Sequence, residues 1–164
     1  MTDYMSLEDY QRLTGQTTTK SKKKTKAARD NELATLTLIT KLERNGLKFG
    51  GVWRKGMKAD PSTIYLEYQF SDKRRFRADL AIPSESLLVE IHGGSWVMRR
   101  SKDGGTTYLG GAHHSPDGRK RDMQKARLAN LEEWCYLEFD WEDVKDGTAF
   151  NDIQEYINEG RDDA

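Results

Sequence analysis

Two short runs, 76–81 and 87–92, are rich in apolar residues, and each carries a single acid. Side chains alternate across a strand, so in the second run Leu88, Glu90 and His92 share one face while Leu87, Val89 and Ile91 share the other. In the first, Asp79 lies on the face of Arg75 and Arg77, away from Phe76, Ala78 and Leu80. Pro83, Ser84, Glu85 and Ser86 between the runs are turn-formers, which predicts two neighbouring antiparallel strands. The run 64–70 alternates as well and predicts a half-buried strand with Ile64, Leu66, Tyr68 and Phe70 inward. The aromatic run 134–139 predicts a buried strand. Leu33, Leu36, Leu38, Ile39 and Leu42 recur at helical spacing, predicting a helix over 30–45 capped by Asp30 or Asn31 and ended by Asn45 and Gly46. A second helix is expected from Arg119 or Lys120 to about Leu131, packed through Met123, Ala126, Ala129 and Asn130. A third, over 148–159, has Phe150, Ile153, Tyr156 and Ile157 on one side. Residues 47–61 read as a loop or a short strand, and 93–118 has no clear period. Aperiodic stretches of that length in compact domains are usually functional or disordered, and 106–109 suggests a short hairpin arm. Strands and helices together predict an α/β fold.

At 164 residues the chain suits one domain with a tail. No apolar run approaches the roughly 20 residues needed to span a bilayer, and the N-terminus lacks a signal-peptide core, so a cytoplasmic protein is expected. Cys135 is the single cysteine, which excludes an intrachain disulfide and a four-cysteine zinc site. His92, His113, His114 and Cys135 lack zinc-ligand spacing. The formal net charge of zero hides a segregation. Residues 11–29 carry seven basic side chains and no acid, whereas acids dominate after Leu131. That asymmetry predicts a basic arm meeting a polyanion. Residues 1–29 are therefore expected to be a flexible basic arm, with the cap and first-turn acids of a short helix near Ser6, and 30–160 to be the folded domain. Lys22, Lys23 and Lys24 suit attachment to phosphates, and equally suit a solubilising tail.

A carboxylate inside an apolar strand loses hydration and stays charged only beside a cation or a metal. Two of them on adjacent strands suggest a hard divalent cation. The order of motifs is Arg74 to Ala81 around Asp79, then Val89-Glu90-Ile91-His92-Gly93-Gly94-Ser95-Trp96, then Gly111-Ala112-His113, then Asp122 and Lys125, then Trp134. It resembles the PD-(D/E)XK, or restriction-endonuclease-like, nucleases, in particular a phage and bacterial branch similar to Holliday-junction resolvases and very-short-patch repair endonucleases. His92 stands where that family usually has lysine.

The resemblance implies a mixed central β-sheet flanked by helices and a Mg²⁺-dependent DNA endonuclease, with Mn²⁺ as a substitute. It implies Asp79, Glu90 and the Ile91 carbonyl as metal ligands. Glu32, near the start of the first helix, is a further candidate, although a helix-dipole residue is the slightly favoured reading because first-turn acids are very common. Glu67, on the polar face of its strand, is another as an outer-shell metal or water ligand, although most such residues are simply solvated. Either His92 or Lys125 would take the role of the family's lysine. Arg75, Arg77, Trp96, Arg99, Arg100 and His113 are expected to meet DNA, a branched or distorted duplex in particular, and cutting a junction symmetrically would suit a homodimer. The alternative is a nuclease-fold DNA-binding module without turnover.

Overall fold

A computed structural model describes residues 26–92, 96–100, 106–110 and 116–162. Helix α1 (Lys26–Glu43) precedes strands β1 (Lys48–Val52), β2 (Thr63–Gln69), β3 (Arg77–Ile82) and β4 (Leu87–His92). A two-stranded antiparallel ribbon of β5 (Trp96–Arg100) and β6 (Thr106–Gly110) follows. Helix α2 (Pro116–Leu131), strand β7 (Cys135–Asp140) and helices α3 (Trp141–Asp146) and α4 (Thr148–Asp162) complete the chain. The fold is α/β, with a five-stranded mixed sheet in the order β1–β2–β3–β4–β7. β1 runs parallel to β2 and β4 parallel to β7, while β2–β3 and β3–β4 are antiparallel. The C-terminal ends of β1, β2, β4 and β7 therefore share one edge of the sheet with the N-terminal end of β3.

Alternation along β4 divides two cores. Leu87, Val89 and Ile91 join Ile64, Leu66, Leu80 and Ile82 under α1, α3 and α4, which contribute Leu38, Ile39, Leu42, Val144, Ile153 and Ile157. Leu88 faces the opposite side with Phe70, Phe76, Ala81 and Ala129 of α2. This second core is small because α2 is largely polar, with Ala129 its only buried side chain. Charged groups on that face of β3 and β4 thus meet a helix able to offer them polar partners.

The turn between β3 and β4 is a single 3₁₀ turn, Pro83–Glu85, closed by Ser86 at φ 51°. The two strands pair antiparallel as their pattern predicts, from Ile82 opposite Leu87 to Leu80 opposite Val89.

Several expectations are corrected. Helix α1 begins at Lys26, so Asp30 and Asn31 lie within it rather than capping it. Helix α2 begins at Pro116, whose fixed φ and missing N–H suit a first helical position, and Met123 on it is 62% exposed instead of packed. In β7 only Phe139 is buried, because the strand forms the sheet's edge. Residues 47–61 include a true strand, β1, and the short α3 was not expected from periodicity. Its start is fixed by a capping box, in which Asp140 accepts from the Asp143 amide (2.9 Å) and Asp143 from the Asp140 amide (3.0 Å).

In β2, Ile64 and Leu66 enter the α1-side core, yet Phe70 enters the α2-side core with Tyr68 packed beside it. The reversal follows Glu67, which adopts a left-handed backbone at φ 52°. The expected short helix near Ser6 lies outside the described residues. Among the described residues no helix is long and apolar enough to cross a membrane.

A tight interstrand approach lies at Gly50 of β1, where an added Cβ would overlap the Tyr65 ring and come within 2.7 Å of the Thr63 methyl. Tyr65 has little room to retreat, since it is buried and its hydroxyl accepts from the Asp60 amide at 2.9 Å. Gly50→Ala should therefore destabilise the protein by about 1–3 kcal/mol, read as a fall in the denaturant midpoint at unchanged slope.

Candidate active site

Where the ladder of β3 and β4 passes Leu80 and Val89, the register sets Asp79 opposite Glu90. There the two carboxylates take over the cross-strand bonding. The Asp79 amide donates to Glu90 Oε1 (3.3 Å), and the Ile91 amide donates to Asp79 Oδ2 (2.9 Å). Each acid thus holds the other's strand, and the pair lies toward the sheet edge where β4 ends. Glu90 is 8% exposed, on the α2 side of the sheet with Leu88. Lys125 reaches it from α2 in a direct, largely buried ion pair between Nζ and Oε1. Three of the predicted catalytic residues, Asp79, Glu90 and Lys125, are therefore brought together from two strands and a helix.

The electrostatics follow from burial. Loss of water and the adjacent Asp79 carboxylate push Glu90 up to about 7, against the opposing pull of Lys125. On the neighbouring strand Tyr136, opposite Leu88, has its phenol pushed well above its usual range, first by burial and then by Glu90, Glu138, Asp122 and Asp79. Tyr136 and Glu138 carry no signal in the linear sequence, because the parallel pairing of β4 with β7 that sets Glu138 beside Glu90 spans a long intervening segment.

His92 shares the face of Glu90, but its Nε2 lies 3.2 Å from Glu138 Oε1. The imidazole is held toward β7, whereas the lysine touches Glu90. Glu32 lies on α1, half-buried. Glu67 is exposed and stands opposite Asp79 in the β2–β3 register, lining a cleft with Arg75 and Arg77. Among the described residues no three His, Cys, Asp or Glu side chains converge as a metal-ligand group. Asp79 and Glu90 thus form a pair of hard oxygen donors to which neither Glu32 nor Glu67 adds a third. Trp96, Arg99 and Arg100 lie on β5. Lys22, Lys23, Lys24 and His113 lie outside the described residues.

Two adjoining carboxylates, one of them destabilised as an anion by burial, suit a small divalent cation that takes two carboxylates and keeps several waters. In chelator, the raised Glu90 has a signed consequence. Its proton is held more tightly in the folded state than at the ordinary value of 4.5, so its favourable contribution is complete below that pH and is lost as pH rises through about 7. Glu90→Gln cannot ionise. Relative to wild type it should gain up to about 3 kcal/mol between pH 4.5 and 8, seen as diverging denaturant midpoints across that range; parallel curves would show that Glu90 titrates normally. No family model, curated protein or solved structure matches the chain.

Proposed function

We propose that the protein is a Mg²⁺-dependent DNA endonuclease that hydrolyses phosphodiester bonds, acting on branched or distorted duplex. The observation that carries the reading is the cross-bonded pair Asp79 and Glu90 at the sheet edge with Lys125 on Glu90. The order of motifs similar to the PD-(D/E)XK nucleases supports it, as does the basic composition of residues 11–29.

Asp79 and Glu90 would hold the cation, with the Ile91 carbonyl as a further oxygen donor; Mn²⁺ would substitute. Bound there, the cation supplies Lewis-acid charge that favours deprotonation of the attacking water and offsets charge on the leaving oxygen. Neutralising Glu90 in this way would release Lys125 from its ion pair and leave its ammonium free to hold a phosphate oxygen. Lys125 therefore stands in for the family's motif lysine more directly than His92. His92, whose Nε2 meets Glu138, is the second candidate to orient water or take its proton.

The ion pair also favours a second reading, a DNA-binding module of the same architecture without turnover, in which Lys125 satisfies Glu90 permanently. Incubation with branched, nicked and linear DNA in Mg²⁺ separates the two. The nuclease reading expects cleavage that chelator stops and that Asp79→Ala or Glu90→Ala abolishes, with DNA binding in chelator largely retained. Lys125→Met should lower the cleavage rate by about 10²-fold or more, and His92→Ala by less. Full cleavage by both acid variants, or none by wild type on any DNA, would refute the nuclease.

A further inference from the structure

A second feature lies beside the acids. A cleft of about 940 Å³ opens between the end of β1, the end of β2 and the start of β3. Its walls include the aromatic pair Trp53 and Tyr68, whose rings lie 4.7 Å apart at 57°, and four cations, Arg54, Lys55, Arg75 and Arg77. Glu67 and Asp72 are the acids among the lining residues, so positive charge exceeds negative by two. Arg54, Lys55, Arg75 and Arg77 are all exposed, and none has a carboxylate partner that would explain its place as a structural ion pair among the described salt bridges.

The aromatic wall is held in position from behind. The Trp53 amide donates to the Leu66 carbonyl at 2.8 Å. The Trp53 ring meets Tyr65 edge-on at 5.1 Å, and Tyr68 leans on Trp134 at 5.7 Å. A preformed aromatic surface rimmed by arginines and lysine is the chemistry that binds a nucleotide outside a duplex, by stacking its base and neutralising its phosphates. The volume lies at the upper end of the range of about 300–1,000 Å³ common for small-ligand clefts, which leaves room for a base with its sugar and phosphate.

Placement gives the cleft its role. Arg77 precedes Asp79 by two residues on β3, a separation of about 6.6 Å at strand rise. Glu67, on the cleft wall, stands opposite Asp79 in the β2–β3 register. The left-handed turn at Glu67 is what carries Tyr68 to the α2 side. A costly backbone conformation in a strand is a feature that needs a compensating use, and here it completes the aromatic wall.

We infer that this cleft holds an unpaired nucleotide of the DNA strand next to the phosphate presented to Asp79 and Glu90, so that the preferred substrate is a duplex with a single-stranded extension or discontinuity. The inference rests on the nuclease reading for the position of the phosphate, but the binding it asserts is measured without catalysis.

The test is fluorescence anisotropy of the full chain in EDTA with labelled DNA of one duplex sequence, either blunt or with a short single-stranded extension. Wild type should bind the extended duplex about tenfold more tightly. Trp53→Leu, which keeps an apolar side chain but cannot stack, should remove the difference. Arg54→Ala with Lys55→Ala, both exposed, should weaken the extended duplex more than the blunt one, and decides the matter if the tryptophan variant fails to fold. Equal affinity of wild type for the two DNAs overturns the inference, as does a preference that survives in the folded variants. So does effective competition by free thymidine monophosphate, which would mark the cleft as a site for free nucleotides. Cleavage of the blunt duplex in Mg²⁺, measured in parallel, reports on the acids alone and keeps the two readings apart.

Discussion

The structure depends on keeping the Glu90 carboxylate almost out of water beside a second acid. Unpaired, a buried anion of that kind costs several kcal/mol, and the chain meets the cost in two ways. Lys125 is delivered by a helix that begins some two dozen residues after β4 ends. The Asp79 amide donates to Glu90. Residual penalty appears as the raised proton affinity of the acid. A protein indifferent to that carboxylate would have replaced it with an apolar residue of similar size, often at no loss of stability.

The sheet makes the arrangement a consequence of topology. The antiparallel turn at Pro83–Glu85 fixes the register that opposes Asp79 to Glu90, and the parallel return of β7 adds Tyr136 and Glu138 on the same side. On the α1 side, large apolar residues fill a continuous core. On the α2 side the apolar cluster is small and gives way to charge. On β4 the division between the apolar face and the charged face follows its alternation, since moving its register by one residue would exchange Glu90 for Val89 or Ile91.

Much of this was legible in the linear chain, for local reasons. The β3–β4 hairpin follows from alternation and turn chemistry, and the face of Glu90 and His92 follows from counting by two. Two acids in adjoining apolar strands mark a candidate site before any contact is known. What was not legible depends on distant pairing or on backbone conformation. The proximity of Lys125 to Glu90, expected only through the resemblance, requires knowing how α2 lies across the sheet. The partnership of His92 with Glu138 requires the β4–β7 register. Glu67 misled because alternation assumes an extended backbone, and its left-handed φ sends Tyr68 and Phe70 to the opposite core. Met123 misled because helical spacing does not reveal how small the apolar patch under α2 is.

The proposed endonuclease requires that Asp79 and Glu90 jointly hold a divalent cation. Titration of the purified protein with Mn²⁺, followed by electron paramagnetic resonance of the free ion, tests it without any substrate. The account predicts one saturable Mn²⁺ site per chain that Mg²⁺ displaces and that is lost in both Asp79→Asn and Glu90→Gln. Absence of a saturable site in wild type, or a site unchanged in the two variants, would contradict it.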